Sequence, residues 1–295
     1  MKLLITGANG QLGRCLQDRA QGYGFEIAAI THQQLDITNK AAVNCFFSEW
    51  QPELVINAAA YTAVDQAESE PEKAYQVNAI GPKNLAEACQ HSNIPMMHVS
   101  TDYVFDGSAT KPYQSLDKTS PQSVYGVTKL AGEQAVAKVC TKHVIIRTAW
   151  VFSEYGNNFV KTMLRLANNE EELSVVADQY GCPTYAGDIA EALLTIGSII
   201  NKQADWSGYG IHHFCGDQAT SWHGFARAIM EEGTTSGLIK ATPVIKAIPT
   251  ADYPTPAKRP EYSVLDCSSY PVKEYNRCWR SSLVNVIDKI ASSKD

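Results

Sequence analysis

Short apolar runs alternate with longer amphipathic stretches through the first half of the chain. Leu3–Thr6, Ile27–Ile30, Leu54–Asn57, Met96–Ser100 and Val144–Arg147 are largely uninterrupted by charge. A strand buried on both faces carries such a continuous run. Between two of these runs, the stretch from Asn78 to His91 places Leu85, Ala86 and Cys89 on one helical face. Alternation of strand and helix predicts an α/β fold built on a doubly wound parallel sheet, with its ligand crevice at the carboxyl ends of the strands.

Beyond Trp150 the alternation fades. Pro183, Trp206, Trp222 and the prolines at 249, 254, 256 and 260 become the prominent features. The pattern predicts a first domain over residues 1–150, completed by a returning segment at about 188–216. A smaller α/β domain is expected from 151–187 and 217–295. With 295 residues and 44% hydrophobic content, the chain can bury one large or two moderate cores.

A formal net charge of −6 without a dense Lys/Arg run argues against nucleic acid or an anionic membrane as partner. Any anionic ligand must therefore be met by local cations. The eight cysteines show no C-x-x-C spacing and no clustering with histidine. They read as reduced thiols of a cytoplasmic protein, and no metal site is expected. The opening apolar run is too short for a signal peptide, and Ile189–Ile200, interrupted by Glu191, is too short to span a bilayer.

The first candidate for chemistry is Thr6-Gly7-Ala8-Asn9-Gly10-Gln11-Leu12-Gly13, a glycine turn between the first strand and a helix. Gly7 allows the tight turn, Gly10 lets backbone N–H groups approach a pyrophosphate, and Gly13 lets helix and strand pack closely. This makes residues 1–150 a Rossmann-type NAD(P)-binding domain. Its spacing is G-x-x-G-x-x-G, unlike that of most simple dehydrogenases. The second strand ends in the neutral Thr31-His32, and the next carboxylate is Asp36. A neutral strand end does not exclude a 2′-phosphate, so NADPH is expected to serve at least as well as NADH, with Arg14 a candidate phosphate partner. Asp36 and Ile37 belong to the adenosine side of the same site. Asn57-Ala58-Ala59-Ala60, after the third strand, offers small residues against which a flat ring can lie.

The second candidate is Tyr125 and Lys129, four residues apart and so on one helical face. Reduction of a carbonyl needs a proton donor beside the hydride donor, and a phenol near an ammonium can supply it. Ser120-Pro121 reads as the N-cap and first residue of their helix. Upstream, Ser100-Thr101-Asp102-Tyr103 ends a strand and delivers a hydroxyl to the crevice. Tyr125 is thus the expected proton donor, Lys129 the stabiliser of its phenolate and holder of the nicotinamide ribose, and Thr101 the group that orients the carbonyl.

At these residues the chain resembles the extended short-chain dehydrogenase/reductase superfamily. Within it, the stretches Asn57–Asp65, Ser100–Phe105, Asn157–Phe159, Asp178–Thr184 and Arg259–Ser263 resemble the dTDP-4-dehydrorhamnose reductase family. The resemblance runs from Lys2 to about Asp266. It implies NAD(P)H-dependent reduction of the C4 ketone of dTDP-4-dehydro-L-rhamnose, the last step to dTDP-L-rhamnose for surface polysaccharide. Thr101, Tyr125 and Lys129 match the catalytic threonine, tyrosine and lysine. Thr62, Val64, Asp102, Tyr103, Trp150 and Asn158 fall where the family lines its sugar pocket. Arg259 falls in the segment that closes over the nucleotide-sugar. Its fork suits a diphosphate.

The resemblance is compatible with a homodimer. Some relatives pair through a magnesium ion, but the corresponding neighbourhoods here carry Cys15 and Gly187-Asp188. Two other function classes remain open: a non-catalytic regulatory subunit similar to that of methionine adenosyltransferase, and a nucleotide-sugar epimerase or dehydratase. Intact Thr101, Tyr125 and Lys129 favour catalysis over the former. The absence of a glutamate beside Thr101 disfavours dehydration.

Overall fold

Each apolar run of the first half becomes a strand of one sheet in the computed structural model, which describes residues 1–203, 205–272 and 277–293. In chain order the elements are β1 Lys2–Thr6, α1 Gln11–Ala20, β2 Glu26–Ile30, α2 Lys40–Trp50, β3 Leu54–Asn57, α3 Val64–Ala67, α4 Pro71–Tyr75, α5 Gly81–His91, β4 Met96–Thr101, α6 Val124–Val139 and β5 His143–Thr148. There follow β6 Val151–Phe152, α7 Phe159–Ala167, β7 Glu172–Val176, β8 Tyr180–Gly181, β9 Thr184–Tyr185, α8 Ala186–Lys202, β10 Gly210–His213, β11 Thr220–Ser221, α9 Trp222–Thr235, β12 Val244–Ile248 and α10 Trp279–Ser292.

The main sheet has six parallel strands in the order β10-β5-β4-β3-β1-β2. Side chains alternate across it with period two, which explains why the runs are apolar throughout. Leu3, Ile5, Leu54, Ile56, Met97, Val144 and Ile146 face a core that also takes in α1 and α8. Leu4, Val55, Met96 and Ile145 face the opposite core, with Val43, Phe47, Leu85 and Val136 from α2, α5 and α6. Both faces are therefore covered by helices.

The strand order reverses between β1 and β3, so the carboxyl ends of β1, β3 and the neighbouring β4 open into a crevice. Three two-stranded sheets, β6 with β9, β7 with β12 and β8 with β11, stand beyond β5. Phe152, Val160, Phe225 and Trp279 join these segments to the same core as Leu3 and Ile5. Among the described residues no helix is long and apolar enough to cross a membrane.

Candidate active site

The glycine turn is held by contacts that allow no side chain. Gly7 has φ +73°, and a Cβ there would lie 2.6 Å from the Ala59 nitrogen. A Cβ on Gly13 would lie 2.2 Å from the Gly7 carbonyl oxygen, so α1 rests directly on the turn that precedes it. The α1 N-terminus carries no side-chain cap, with Gly10 in extended geometry at the cap position. Its free N–H groups and the positive end of the helix dipole suit a pyrophosphate. These features fit a dinucleotide cofactor. Ala58–Ala60 face this turn from the end of β3, placed by Asn57, whose Oδ1 accepts from the Thr6 hydroxyl at 2.6 Å and from the Ala59 N–H at 3.2 Å.

The other expected cofactor residues are arranged less simply. Asp36 accepts from the Thr38 N–H at 2.9 Å and the Thr38 hydroxyl at 2.8 Å, closing a local turn, while Ile37 is buried in the core. Arg14 lies over the Tyr155 ring at 5.5 Å, an alternative occupation for its guanidinium to the expected 2′-phosphate. Gln11 reaches across to the segment after β6, where its Oε1 accepts from Ser153 at 2.9 Å and from Asn158 at 3.0 Å.

Thr101 ends β4 and Tyr125 begins α6. The start of that helix differs from the sequence expectation. Ser123, not Ser120, is the N-cap, its hydroxyl accepting from the Gly126 N–H at 3.2 Å. Ser120 instead donates its N–H to the Val104 carbonyl at 2.9 Å, which keeps the Ser120-Pro121 segment outside the helix. A second cap comes from far away in sequence: Glu68 Oε1 accepts from the Val124 N–H at 2.8 Å.

Removal from water pushes the Tyr125 phenol up to about 12, partly offset by a hydrogen bond with Thr101. It is thus protonated at neutral pH, the state a proton donor needs. Thr101 donates its hydroxyl to Asp102 Oδ1 at 2.9 Å and accepts from the Tyr103 N–H at 3.2 Å. Burial raises the Asp102 carboxyl to about 6, offset in part by the Ser263 and Thr101 hydroxyls, and its Oδ2 has no partner within hydrogen-bond distance among the described residues. The Tyr103 ring meets Tyr125 edge-on at 5.5 Å between centroids.

Lys129 is buried and donates to the Val99 carbonyl at 2.6 Å. Burial lowers its pKa to about 8, with Glu133 one turn on acting in the opposite sense. Lys129 is not among the charges that move Tyr125, whose shift comes first from burial. Behind it, His98 is held well below the ordinary histidine range by burial and then by Lys129, and its Nδ1 accepts from Asn57 Nδ2 at 2.9 Å. Thr6, Asn57 and His98 thus form a buried polar chain across β1, β3 and β4. Glu133 grips Arg147 of β5 in a buried pair with contacts of 2.7 and 2.9 Å, fixing α6 to the sheet. Removing one partner of such a pair costs about 3–5 kcal/mol.

Asn78 is a further site residue that sequence reasoning passed over. It sits in a π-type turn, Gln76–Ile80, between α4 and α5. Its amide accepts from the Tyr61 N–H at 2.8 Å and donates to the Tyr61 carbonyl and to Thr128 at 3.1 Å each, clamping the loop after Ala60 to α6. Nothing in the local sequence separates this asparagine from a surface one.

On the far side of the crevice stand the residues expected to line a sugar pocket. Thr62 and Val64 enter α3, with Thr62 exposed. Trp150 adopts φ +47° and stacks on Trp222 with ring centroids 3.6 Å apart. That backbone region is strained for a bulky residue and marks functional positions. Trp222 was legible only as part of an aromatic-rich composition.

Arg259 forms a two-pronged pair with Asp65 at 3.0 and 2.8 Å, which holds Asp65 below the usual carboxylate range. Asp65 also accepts from the Ala257 N–H at 3.2 Å. Asn158, expected as a sugar contact, lies at a junction between segments. It caps α7 through the Lys161 N–H, and its amide nitrogen bonds Gln11, Ser153 and Tyr155.

Among the described residues no group of three or more His, Cys, Asp or Glu side chains could hold a metal ion. Cys15 is buried, and Asp188 accepts from the Ser282 hydroxyl at 2.7 Å.

Residues 1–292 match the family model described as the RmlD substrate binding domain. A dTDP-4-dehydrorhamnose reductase of Aggregatibacter actinomycetemcomitans is 50% identical, covering 90% of each chain. The crystal structure of a dTDP-4-dehydrorhamnose reductase from Clostridium acetobutylicum superposes with a TM-score of 0.90 at 44% identity, over 98% of this chain and 99% of that one. That of Bacillus anthracis strain Ames, in complex with NADP, gives 0.88 at 37% identity with the same coverage. With a nucleotide turn, a Thr–Tyr–Lys crevice and these likenesses along nearly its whole length, the chain belongs to the RmlD substrate-binding-domain family, that of the dTDP-4-dehydrorhamnose reductases.

Proposed function

We propose that this protein reduces the C4 ketone of dTDP-4-dehydro-L-rhamnose to dTDP-L-rhamnose at the expense of NADPH or NADH, in the cytoplasm. The observation that carries the reading is the convergence of Thr101, Tyr125 and Lys129 on the crevice beside an uncapped glycine-rich helix start. When bound, the reduced nicotinamide supplies a hydride. Gly7, Gly10 and Gly13 with the N–H groups of Gln11 and Leu12 would hold the pyrophosphate, and Ala58–Ala60 would bound the dinucleotide from β3.

Tyr125 delivers the phenolic proton to the substrate oxygen. Thr101 positions that oxygen, and an oxygen of its own is already aligned by the Tyr103 N–H. Lys129 keeps a cation beneath the site, where it would meet the ribose. The unpartnered Oδ2 of Asp102 suits a sugar hydroxyl, and Trp150, backed by Trp222, suits a sugar face. Thr62, Val64 and Tyr103 would complete the wall. Arg259 would exchange the Asp65 carboxylate for the substrate diphosphate. On this reading residues 1–150 with the returning segment carry the cofactor, and 151–187 with 217–295 carry most of the sugar nucleotide. The unbridged thiols of Cys15, Cys45, Cys89, Cys140, Cys182, Cys215 and Cys267 accord with a reducing compartment.

The test is oxidation of NADPH by the purified protein with dTDP-4-dehydro-L-rhamnose, with dTDP-L-rhamnose identified as product. Steady turnover without any partner protein is expected, with NADPH used at least as well as NADH. No turnover, together with a change in the activity of an added methionine adenosyltransferase, would replace this reading with the regulatory one.

A further inference from the structure

The short helix α3 connects two elements that never meet in sequence. At Asp65 it holds Arg259, the cation of the 256–260 segment, and at Glu68, immediately after its last residue, it caps the start of α6. The capped N–H belongs to Val124, the residue before Tyr125. The first turn of α6 contains no acidic residue of its own. Its orphan donors are met by Ser123 at Gly126 and by Glu68 at Val124. Glu68 is thus a carboxylate at the positive end of the helix that carries the phenol.

We propose that Glu68 is a positioning residue for Tyr125, a role that rests on Tyr125 being the proton donor. The helix is anchored deep in the fold by Lys129, by the Glu133–Arg147 pair and by the Thr128–Asn78 bond. Tyr125 lies before all of these anchors, in the turn most prone to fray. That turn is held by the two caps, by the Thr128 hydroxyl on the Tyr125 carbonyl at 3.0 Å and by the edge-on Tyr103 ring, and of these only the Glu68 cap comes from outside the helix as a charge on its backbone N–H groups. The phenol sits at the end of a long side chain, so a small tilt of the turn moves the oxygen by an appreciable fraction of an ångström. Misplacement by about 1 Å can cost on the order of 10²-fold in rate.

The surroundings separate this role from a general structural one. A surface hollow of about 1000 Å³ opens beside Glu68, bordered by Lys73, Ser123, Val124 and Val127. Water can therefore replace the carboxylate on the Val124 N–H, and the fold loses little when the cap is removed. What water does not supply is a fixed direction. Glu68 also touches none of the cofactor turn, which lies at the ends of β1 and β3.

The experiment compares Glu68→Ala and Glu68→Gln with the unsubstituted protein, reading kcat, KM for the keto sugar, NADPH binding by fluorescence titration, and the thermal midpoint. Glu68→Ala is expected to lower kcat by about tenfold, with the NADPH affinity within about twofold and the fold intact. Glu68→Gln keeps an acceptor at the same place and should recover most of kcat, to within about threefold. In a Tyr125→Phe background, Glu68→Ala should change the residual rate by less than about twofold, because the group it positions is gone. Unchanged kcat in Glu68→Ala would overturn the proposal, and so would a Glu68→Gln variant as slow as Glu68→Ala. Full activity of Tyr125→Phe alone would instead bring down the proton-donor reading on which it rests.

Discussion

The two sides of the crevice are built by different means. On the cofactor side the shape is set by backbone: Gly7 against Ala58 and Ala59, Gly13 against Gly7, and three parallel strands in register. On the proposed sugar side it is set by side chains that meet across loops: Asp65 with Arg259 and Trp150 with Trp222. A backbone cradle is complete before its ligand arrives. A side-chain pair such as Asp65–Arg259, by contrast, is held by groups that a ligand can compete for, so on the proposed reading that side would rearrange when the sugar nucleotide binds.

Tyr125 stands where the two sides meet and should show the largest effect. Tyr125→Phe is expected to lower kcat by about 10²–10⁴-fold while NADPH affinity stays within about twofold, measured by stopped-flow turnover and fluorescence titration. A comparable loss of NADPH binding would mean that the phenol belongs to the cofactor side. The backbone claim itself is broken or upheld by Gly13→Ala. A methyl group 2.2 Å from a carbonyl oxygen forces α1 off the turn. That should cost about 3 kcal/mol of stability and weaken NADPH at least tenfold. An alanine tolerated without loss would show that the cradle has slack.

Asp102 offers a test by pH. Its folded carboxyl is raised to about 6 from an ordinary value of 3.8. Between about pH 4 and pH 6 this group therefore binds more proton in the folded state than in the unfolded one, so its contribution to stability falls as pH rises through that window and levels off above it. The two-unit shift corresponds to at most about 3 kcal/mol. Asp102→Asn should flatten this slope in urea melts taken from pH 4 to pH 7, and an unchanged slope would assign the titration to another group. The smallest effect belongs to the rim. Arg259→Ala should raise KM for the sugar nucleotide by about tenfold and leave KM for NADPH within about twofold. Equal shifts in both would erase the division between the two sides.

Much of the cofactor side was legible in the sequence because its signals are local. Apolar runs announce strands buried on both faces, and three glycines at fixed offsets announce a turn under steric pressure. Tyr125 and Lys129 announce themselves by helical spacing. Ser120-Pro121 misled because an N-cap signal says where a helix can start. The Ser120 bond to Val104 and the two caps on α6 decided where it does start, at Val124. For Asn158 its place in a motif was visible, but its bonds to Gln11 and Ser153 were not.

The sequence by itself determined the strands of the alternating architecture, the glycine turn and the shared helical face of Tyr125 and Lys129, each of which depends on residues within a few positions of one another. Only the tertiary structure decided that Glu68 caps α6 across 56 residues, that Arg259 is held by Asp65 across 194, and that Trp150 stacks on Trp222. The reason is physical. Periodicity and steric turn rules act along the chain, whereas a hydrogen bond or ring stack between distant residues exists only after the sheet and its helices have brought them within reach.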